Sequence, residues 1–215
     1  MARKLIILAN SRKKGNRCIA GIDADTGEWV RPCFGTGEQG VPRRVRLVGG
    51  MEPRLLDIVA VPLANDGPHR DIQPENRQIA PGPWERVGKA ALEEVAGYCQ
   101  EGRLILHNAA RWIHVSQLHK VAAEDRKSLC LIQAHTAFST ERTHTGSQRV
   151  VATFAHGWSK YAIPVTDYEF EHAFPANGAR ECKCLLTLSL GMPFERDNCC
   201  YKFAAGIIEL PSALT

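Results

Sequence analysis

The chain has 215 residues, 44 % of them apolar, with a net charge of +4 and a pI near 8.7. That length allows one large domain or two of about 100 residues each, with apolar content ample for a core. No run approaches the ~18 apolar residues of a membrane-spanning helix, and so mild a charge does not by itself point to nucleic acid.

Short strand-like runs dominate. The first is residues 4–8; the apolar stretch 5–9 is followed at once by Asn10-Ser11-Arg12-Lys13-Lys14, and its five residues are too few for a secretory h-region. Without an export signal, the eight cysteines are expected as reduced thiols in a cytoplasm. Residues 17–22 and 29–32 flank an Asp/Thr/Gly turn cluster and predict a hairpin. A Gly-, Pro- and Arg-rich stretch leads to a strand at 55–63, and residues 64–83, with four prolines, predict a loop. A helix is predicted over 84–99 from a moderate stripe that includes Val87, Ala90, Ala91 and Val95, and a second helix or turn over 114–123. The remainder predicts strands at 128–136, 149–156 and 160–165, a short helix at 167–174 capped by Asp167, and strands at 182–190 and 201–210. Three strands, a helix and two strands is the order of an OB barrel, although other small β folds share it. No internal repeat aligns the two halves by identity.

Charge is unevenly spread. Residues 1–54 hold eleven Lys or Arg against five Asp or Glu, which leaves the rest slightly acidic. Such a regional excess is either a footprint for a polyanion or a solvated loop. Arg12, Lys13, Lys14 and Arg17 are expected between the first two strands, where they would neutralise phosphates, with Asn10 and Ser11 adding hydrogen bonds. Arg43, Arg44 and Arg46 add charge that the sequence does not place. Trp29 and Arg31 alternate and should share one strand face, suited to a stacked base or, for the Trp, to a core. Gln73, Glu75 and Asn76 either read a base or ribose or tie their loop to the barrel. Tyr201 and Lys202 form part of a second site, or else a core Tyr beside an exposed Lys.

Other chemistry finds less support. Cys182, Cys184, Cys199 and Cys200 supply four thiols, but a hairpin between the two pairs separates them by ~20 Å, so no metal is expected. Gly35-Thr-Gly37-Glu-Gln-Gly40 satisfies G-x-G-x-x-G, yet Pro42 and two arginines stand where a helix is required. The P-loop-like stretch at 82–89 has the wrong spacing and ends before Ala90 rather than Ser or Thr. There is no H-E-x-x-H and no G-x-S-x-G. Of the histidines, His107, His114 and His119 would be the first to inspect in a nuclease, with His135 and His144 also in the second half.

The segments Leu8-Ala-Asn10-Ser11-Arg-Lys13, Arg17-Cys-Ile-Ala-Gly21, Gly27-Glu-Trp29-Val-Arg31-Pro32, Leu56-Asp57-Ile58-Val59, Gln73-Pro-Glu75-Asn76, Val165-Thr166-Asp167, Ser189-Leu190-Gly-Met-Pro-Phe194 and Tyr201-Lys202 run in order along nearly the whole chain. In this the sequence resembles the bacterial dual OB-domain proteins. The resemblance implies two tandem OB modules, a nucleic-acid-binding role and a setting in bacterial defence or conflict. The expectations are therefore a mainly β chain of two tandem OB-like barrels, residues 1–110 and 111–215. It would be a non-catalytic binder of single-stranded DNA or RNA without cofactor or membrane partner. The alternatives are a nuclease or nucleotide hydrolase, or an adaptor for a protein or small nucleotide.

Overall fold

The continuous apolar run Leu5-Ile-Ile-Leu8 is buried on both faces, as expected of a strand at the centre of its sheet. The computed structural model describes residues 2–143 and 146–211; His144 lies outside them. The chain divides into two units, Met1–Tyr98 and Cys99–Thr215. The expected boundary was twelve residues later. Residues 99–110 fall in the second unit, where Tyr161 and Lys202 hold Ile105 and Asn108.

The first unit runs β1 (Ala2–Lys13), β2 (Asn16–Asp23), β3 (Trp29–Cys33), α1 (Arg43–Arg46), β4 (Asp57–Pro62), β5 (Asn76–Gln78), β6 (Glu85–Lys89) and α2 (Leu92–Ala96). Its sheet order is β5-β3-β2-β1-β4-β6, with β3 and β5 parallel. An antiparallel bridge between Leu63 and Ile79 brings the end of β4 against the end of β5. The Ala64 amide donates to the Gln78 carbonyl and the Ala80 amide to that of Pro62, each at 2.9 Å. The ring β1-β2-β3-β5-β4 is thereby closed, around Leu5, Ile7, Ile19, Val30, Val59 and Val61. The β1–β2 register shifts between Ile7 and Ala9, which bends the pair. At that place Gly21 has no room for a side chain, since a Cβ would press into the Ile6 carbonyl oxygen.

Two predicted features of this unit are corrected. The helix over 84–99 is instead β6 followed by one turn, α2. Gly88 and two neighbouring prolines disfavour a helix there, and pairing of Glu85–Lys89 with β4 satisfies the backbone instead. The loop over 64–83 contains β5, three residues that complete the ring.

The second unit runs β7 (Trp112–His114), α3 (Val115–Leu118), a 3-10 turn (Ala123–Asp125), β8 (Leu129–Arg142), β9 (Gln148–His156), β10 (Ser159–Pro164), α4 (Tyr168–Ala173), β11 (Ala179–Leu190) and β12 (Cys199–Glu209). The helix or turn over 114–123 is thus the single turn α3, capped by the His114 ring, which accepts from the Ser116 amide at 3.1 Å. The sheet order is β10-β9-β8-β11-β12-β7. A parallel bridge from Val165 to Ala204 and a 2.8 Å bond from the Thr166 amide to the Ala204 carbonyl join β10 to β12. The ring β8-β9-β10-β12-β11 closes as in the first unit, with its third and fifth strands parallel and a helix between the third and fourth. The protein is mainly β, and this twice-used order is that of an OB barrel.

Helix α4 packs Phe170 on Phe138, with ring centroids 4.6 Å apart. Asp167 caps it, accepting from the Phe170 amide at 3.2 Å and, through its other oxygen, from Ile207 of β12 at 2.8 Å. Burial lifts its carboxyl from 3.8 to about 6, against the pull of those amides. Between about pH 4 and 6 the native protein therefore holds a proton that the unfolded chain has released. The corresponding stability is full below pH 4 and is lost as pH rises through 6, by at most ~3 kcal/mol. Urea midpoints across that range should fall in the wild type and stay flatter in Asp167→Asn.

Candidate functional site

The basic residues expected in a loop lie mostly on strands. Asn10, Ser11, Arg12 and Lys13 belong to β1 and Arg17 to β2, so the connection is only Lys14-Gly15. Lys14 has φ +44° and Gly15 φ +79°, the left-handed pair that a tight two-residue hairpin requires. Asn10 and Ser11 are buried, Asn10 donating to the Pro53 carbonyl at 2.8 Å and Ser11 to that of Cys18 at 3.4 Å. Arg12 and Lys14 are exposed, while Lys13 and Arg17 are half-buried.

The segment after β3 is strapped onto this hairpin tip. The Lys13 ammonium donates to the Gly37 carbonyl at 2.7 Å, and the Asn16 side chain to that of Gln39 at 3.0 Å. Val41 pairs with Arg17, its amide 2.7 Å from the Arg17 carbonyl. The backbones approach so closely that a Cβ on Gly40 would lie 2.6 Å from that oxygen. Helix α1 follows directly and is fixed by Arg46, which is buried. Arg46 donates to the Val41 carbonyl at 2.7 Å and grips Glu52 through two bonds of 2.6 and 2.8 Å. Arg43 shares the same carboxylate at 3.7 Å. Arg44 instead lies over Phe34, 5.9 Å from its ring centre, and Phe34 is 37 % exposed. Arg12 and Lys14 are thus exposed on the hairpin, and the Arg44–Phe34 pair is exposed on the segment strapped to its tip. Phe34 and Arg44 were missed as a pair because only the strap brings them to the hairpin.

Other candidates lie elsewhere or inside. Trp29 pairs with Ile22, about 17 Å along β2 from Arg17 at ~3.3 Å per residue, and next to the acidic turn Asp25–Glu28. Trp29 is half-buried and Arg31 is only 1 % exposed, so the expected open face shared by the two does not form. The Arg31 guanidinium donates to the Asn76 side-chain oxygen at 3.1 Å and lies 4.0 Å from the Glu75 carboxylate. Asn76 in turn donates to the Pro68 carbonyl at 2.7 Å and to Gln73 at 3.3 Å. Gln73, Glu75 and Asn76 are all buried and tie the 64–80 segment to β3.

In the second unit, Lys202 and Tyr201 exchange their expected places. Lys202 is fully buried, donating to the Ile105 and Asn108 carbonyls at 2.6 Å and to the Asn108 side chain at 2.9 Å. Tyr201 is half-buried, its hydroxyl 2.7 Å from Asp197. Cys184 lies opposite Glu209, ten residues along β12 from Cys199. All eight cysteines are free thiols, and among the described residues no cluster of three His, Cys, Asp or Glu could hold a metal ion. His107 bonds to the Lys127 backbone, His114 caps α3 and lies 2.8 Å from the Ser116 hydroxyl, and His119 is exposed.

No functionally curated protein matches the chain. Among solved structures it is similar to the crystal structure of the tetrameric p202 HIN2, with 10 % identity over 98 % of this chain and 92 % of that one. The TM-score of 0.30 is too low for that likeness to carry any argument. The dual OB-containing domain family matches residues 3–207, in keeping with two closed barrels of one strand order, and the chain belongs to that family.

Proposed function

We propose that the protein binds single-stranded nucleic acid, without cleaving it, through the strapped hairpin tip of its first barrel. The observation that carries this reading is the exposure of Arg12 and Lys14 on a hairpin whose tip is strapped to the segment bearing the exposed Arg44–Phe34 pair. Cations there release counterions from phosphates, and an exposed ring beside a guanidinium gives a base something to stack on. The tip joins the first two strands of an OB barrel, a place where this fold commonly contacts oligonucleotides.

Fluorescence anisotropy of labelled oligothymidylate and oligouridylate tests the reading. Binding is expected at low salt and should weaken steeply as salt rises. Arg12→Ala with Lys14→Ala should weaken it for every sequence and flatten the log K against log salt slope by about 0.7 per cation removed. Labelled strands should remain intact with and without divalent metal. Absence of binding to either polymer at low salt would overturn the proposal.

A further inference from the structure

Trp158 is 87 % exposed, more than any other large apolar side chain among the described residues. It sits with Gly157 in the two-residue turn between β9 and β10. Gly157 has φ +56°, and Gly at the first position of such a turn sets the II′ form that fits strand twist. Trp is not needed at the second position for that geometry, and out in water it adds nothing to the core. The tip is nevertheless built. The Arg103 backbone lies so close that a Cβ on Gly157 would come within 2.6 Å of its carbonyl oxygen. His156 bonds through Nε2 to the Gly102 carbonyl at 2.6 Å. The Arg103 guanidinium is thereby carried over the indole, 5.5 Å from its centre, which holds the ring while leaving it accessible. Lys160, two residues on, is exposed at the start of β10. Glu101 is the nearby acid in sequence, and among the described residues no carboxylate pairs with Arg103 or Lys160.

We infer that Trp158 is a nucleobase-stacking contact of the second barrel, with Arg103 and Lys160 taking the flanking phosphates. The inference rests on the single-strand reading above and adds a site to it in the other unit. A planar, accessible indole matches the π-face that every base offers, and the two cations match the charge between successive bases. A lipid surface fits less well, because the tip is bordered by Ser159, Lys160 and Arg103 rather than by further apolar groups. The other exposed aromatic group of the second barrel supplies a control. Trp112 pairs across strands with Tyr201, on which Phe194 packs edge-on at 6.4 Å, but Glu195 and Asp197 stand beside it.

The test is a titration of the full chain with oligothymidylate at low salt, following indole fluorescence and anisotropy together. Quenching is expected in the wild type and in Trp112→Phe, and most of it should vanish in Trp158→Phe. Trp158→Ala should bind about 5- to 150-fold more weakly, and Arg103→Ala should bind more weakly with a flatter salt dependence. If the wild type binds while Trp158→Ala keeps its affinity and Trp158→Phe keeps the quenching, this inference falls and the hairpin-tip reading stands. Quenching of Trp158 by anionic vesicles but not by oligonucleotide would also overturn it. If the wild type binds no strand at all, both readings fall.

Discussion

Arg31→Met is expected to destabilise the first barrel by about 3–5 kcal/mol, the usual cost of removing one partner from a buried charged group. Arg31 lies on β3 beside the parallel β5, and its amide donates to the Glu75 carbonyl at 2.9 Å while its guanidinium holds the Asn76 side chain. Without it, the buried Glu75 carboxylate loses its cation and Asn76 loses a donor. The damage should spread, because those residues anchor the segment that supplies β5 and closes the ring. Arg31→Lys keeps the charge but not the planar fork and should fall between the two. Urea denaturation measures both, and a loss below ~1 kcal/mol for Arg31→Met would refute the anchoring role. Oligonucleotide binding by folded Arg31→Lys should match the wild type, unlike that of the Arg12 and Lys14 variant. This separates a residue that holds the barrel from residues that face the ligand.

The same residues show what the sequence could and could not reveal. Alternation correctly puts Trp29 and Arg31 on one side of β3, because the side-chain period of a strand is two. It does not say which side is open. Val30 faces the core and Arg31 is covered by the 64–80 segment, so β3 is buried on both faces at that point. That cover depends on β5, three residues long in a Pro-rich stretch, too short to show any period. The second barrel was more legible, since β8 to β12 are longer and their turns carry Gly or Asp at the required places. The basic tip was legible as charge but not as geometry. Assigning Asn10 and Ser11 to a loop made them look available, whereas β1 continues through both and is covered on both faces there.

Both barrels use a buried cation to hold a long segment. In the first, Arg31 holds 64–80 through side chains; in the second, Lys202 holds 105–108 through carbonyl oxygens. The difference follows from the donors. A guanidinium forks towards a planar amide or carboxylate, while an ammonium projects three donors that converge well on separate oxygens. The resemblance motifs that contain Arg31 and Lys202 therefore mark points where a loop is pinned to its barrel.

Lys202→Met is expected to destabilise the second barrel by about 3–5 kcal/mol at neutral pH, and to remove a rise in stability at alkaline pH. Two effects compete in the first part. Removing the ammonium relieves its burial, which has pushed its pKa from 10.5 down to about 8. It also strips the donor from three acceptors, each worth ~1–3 kcal/mol when left buried and unpaired. The acceptors prevail because the segment they hold carries Leu106 and His107 at φ +46° and +81°, left-handed conformations that cost ~1–3 kcal/mol each without support. The contacts that would remain are the Tyr161 hydroxyl, 3.3 Å from the Ile105 amide, the His107 ring on the Lys127 backbone and the bond from the Asn108 side chain to the Trp112 carbonyl, none of which replaces the ammonium at the Ile105 and Asn108 carbonyls. The alkaline part follows from the direction of the shift. Between about pH 8 and 10.5 the unfolded chain keeps a proton on Lys202 that the native protein has released, so native stability climbs with pH through that window. The climb is at most ~1.4 kcal/mol per pH unit, or ~3 kcal/mol in all. Groups titrating there that do not interact with Lys202, which leaves out Cys130, contribute equally to wild type and variant and cancel in the difference. Urea denaturation of both proteins from pH 7.5 to 10.5 reads it directly: the stability gap should widen with pH, and a constant gap would show that Lys202 stays charged throughout, its three oxygens outweighing its burial.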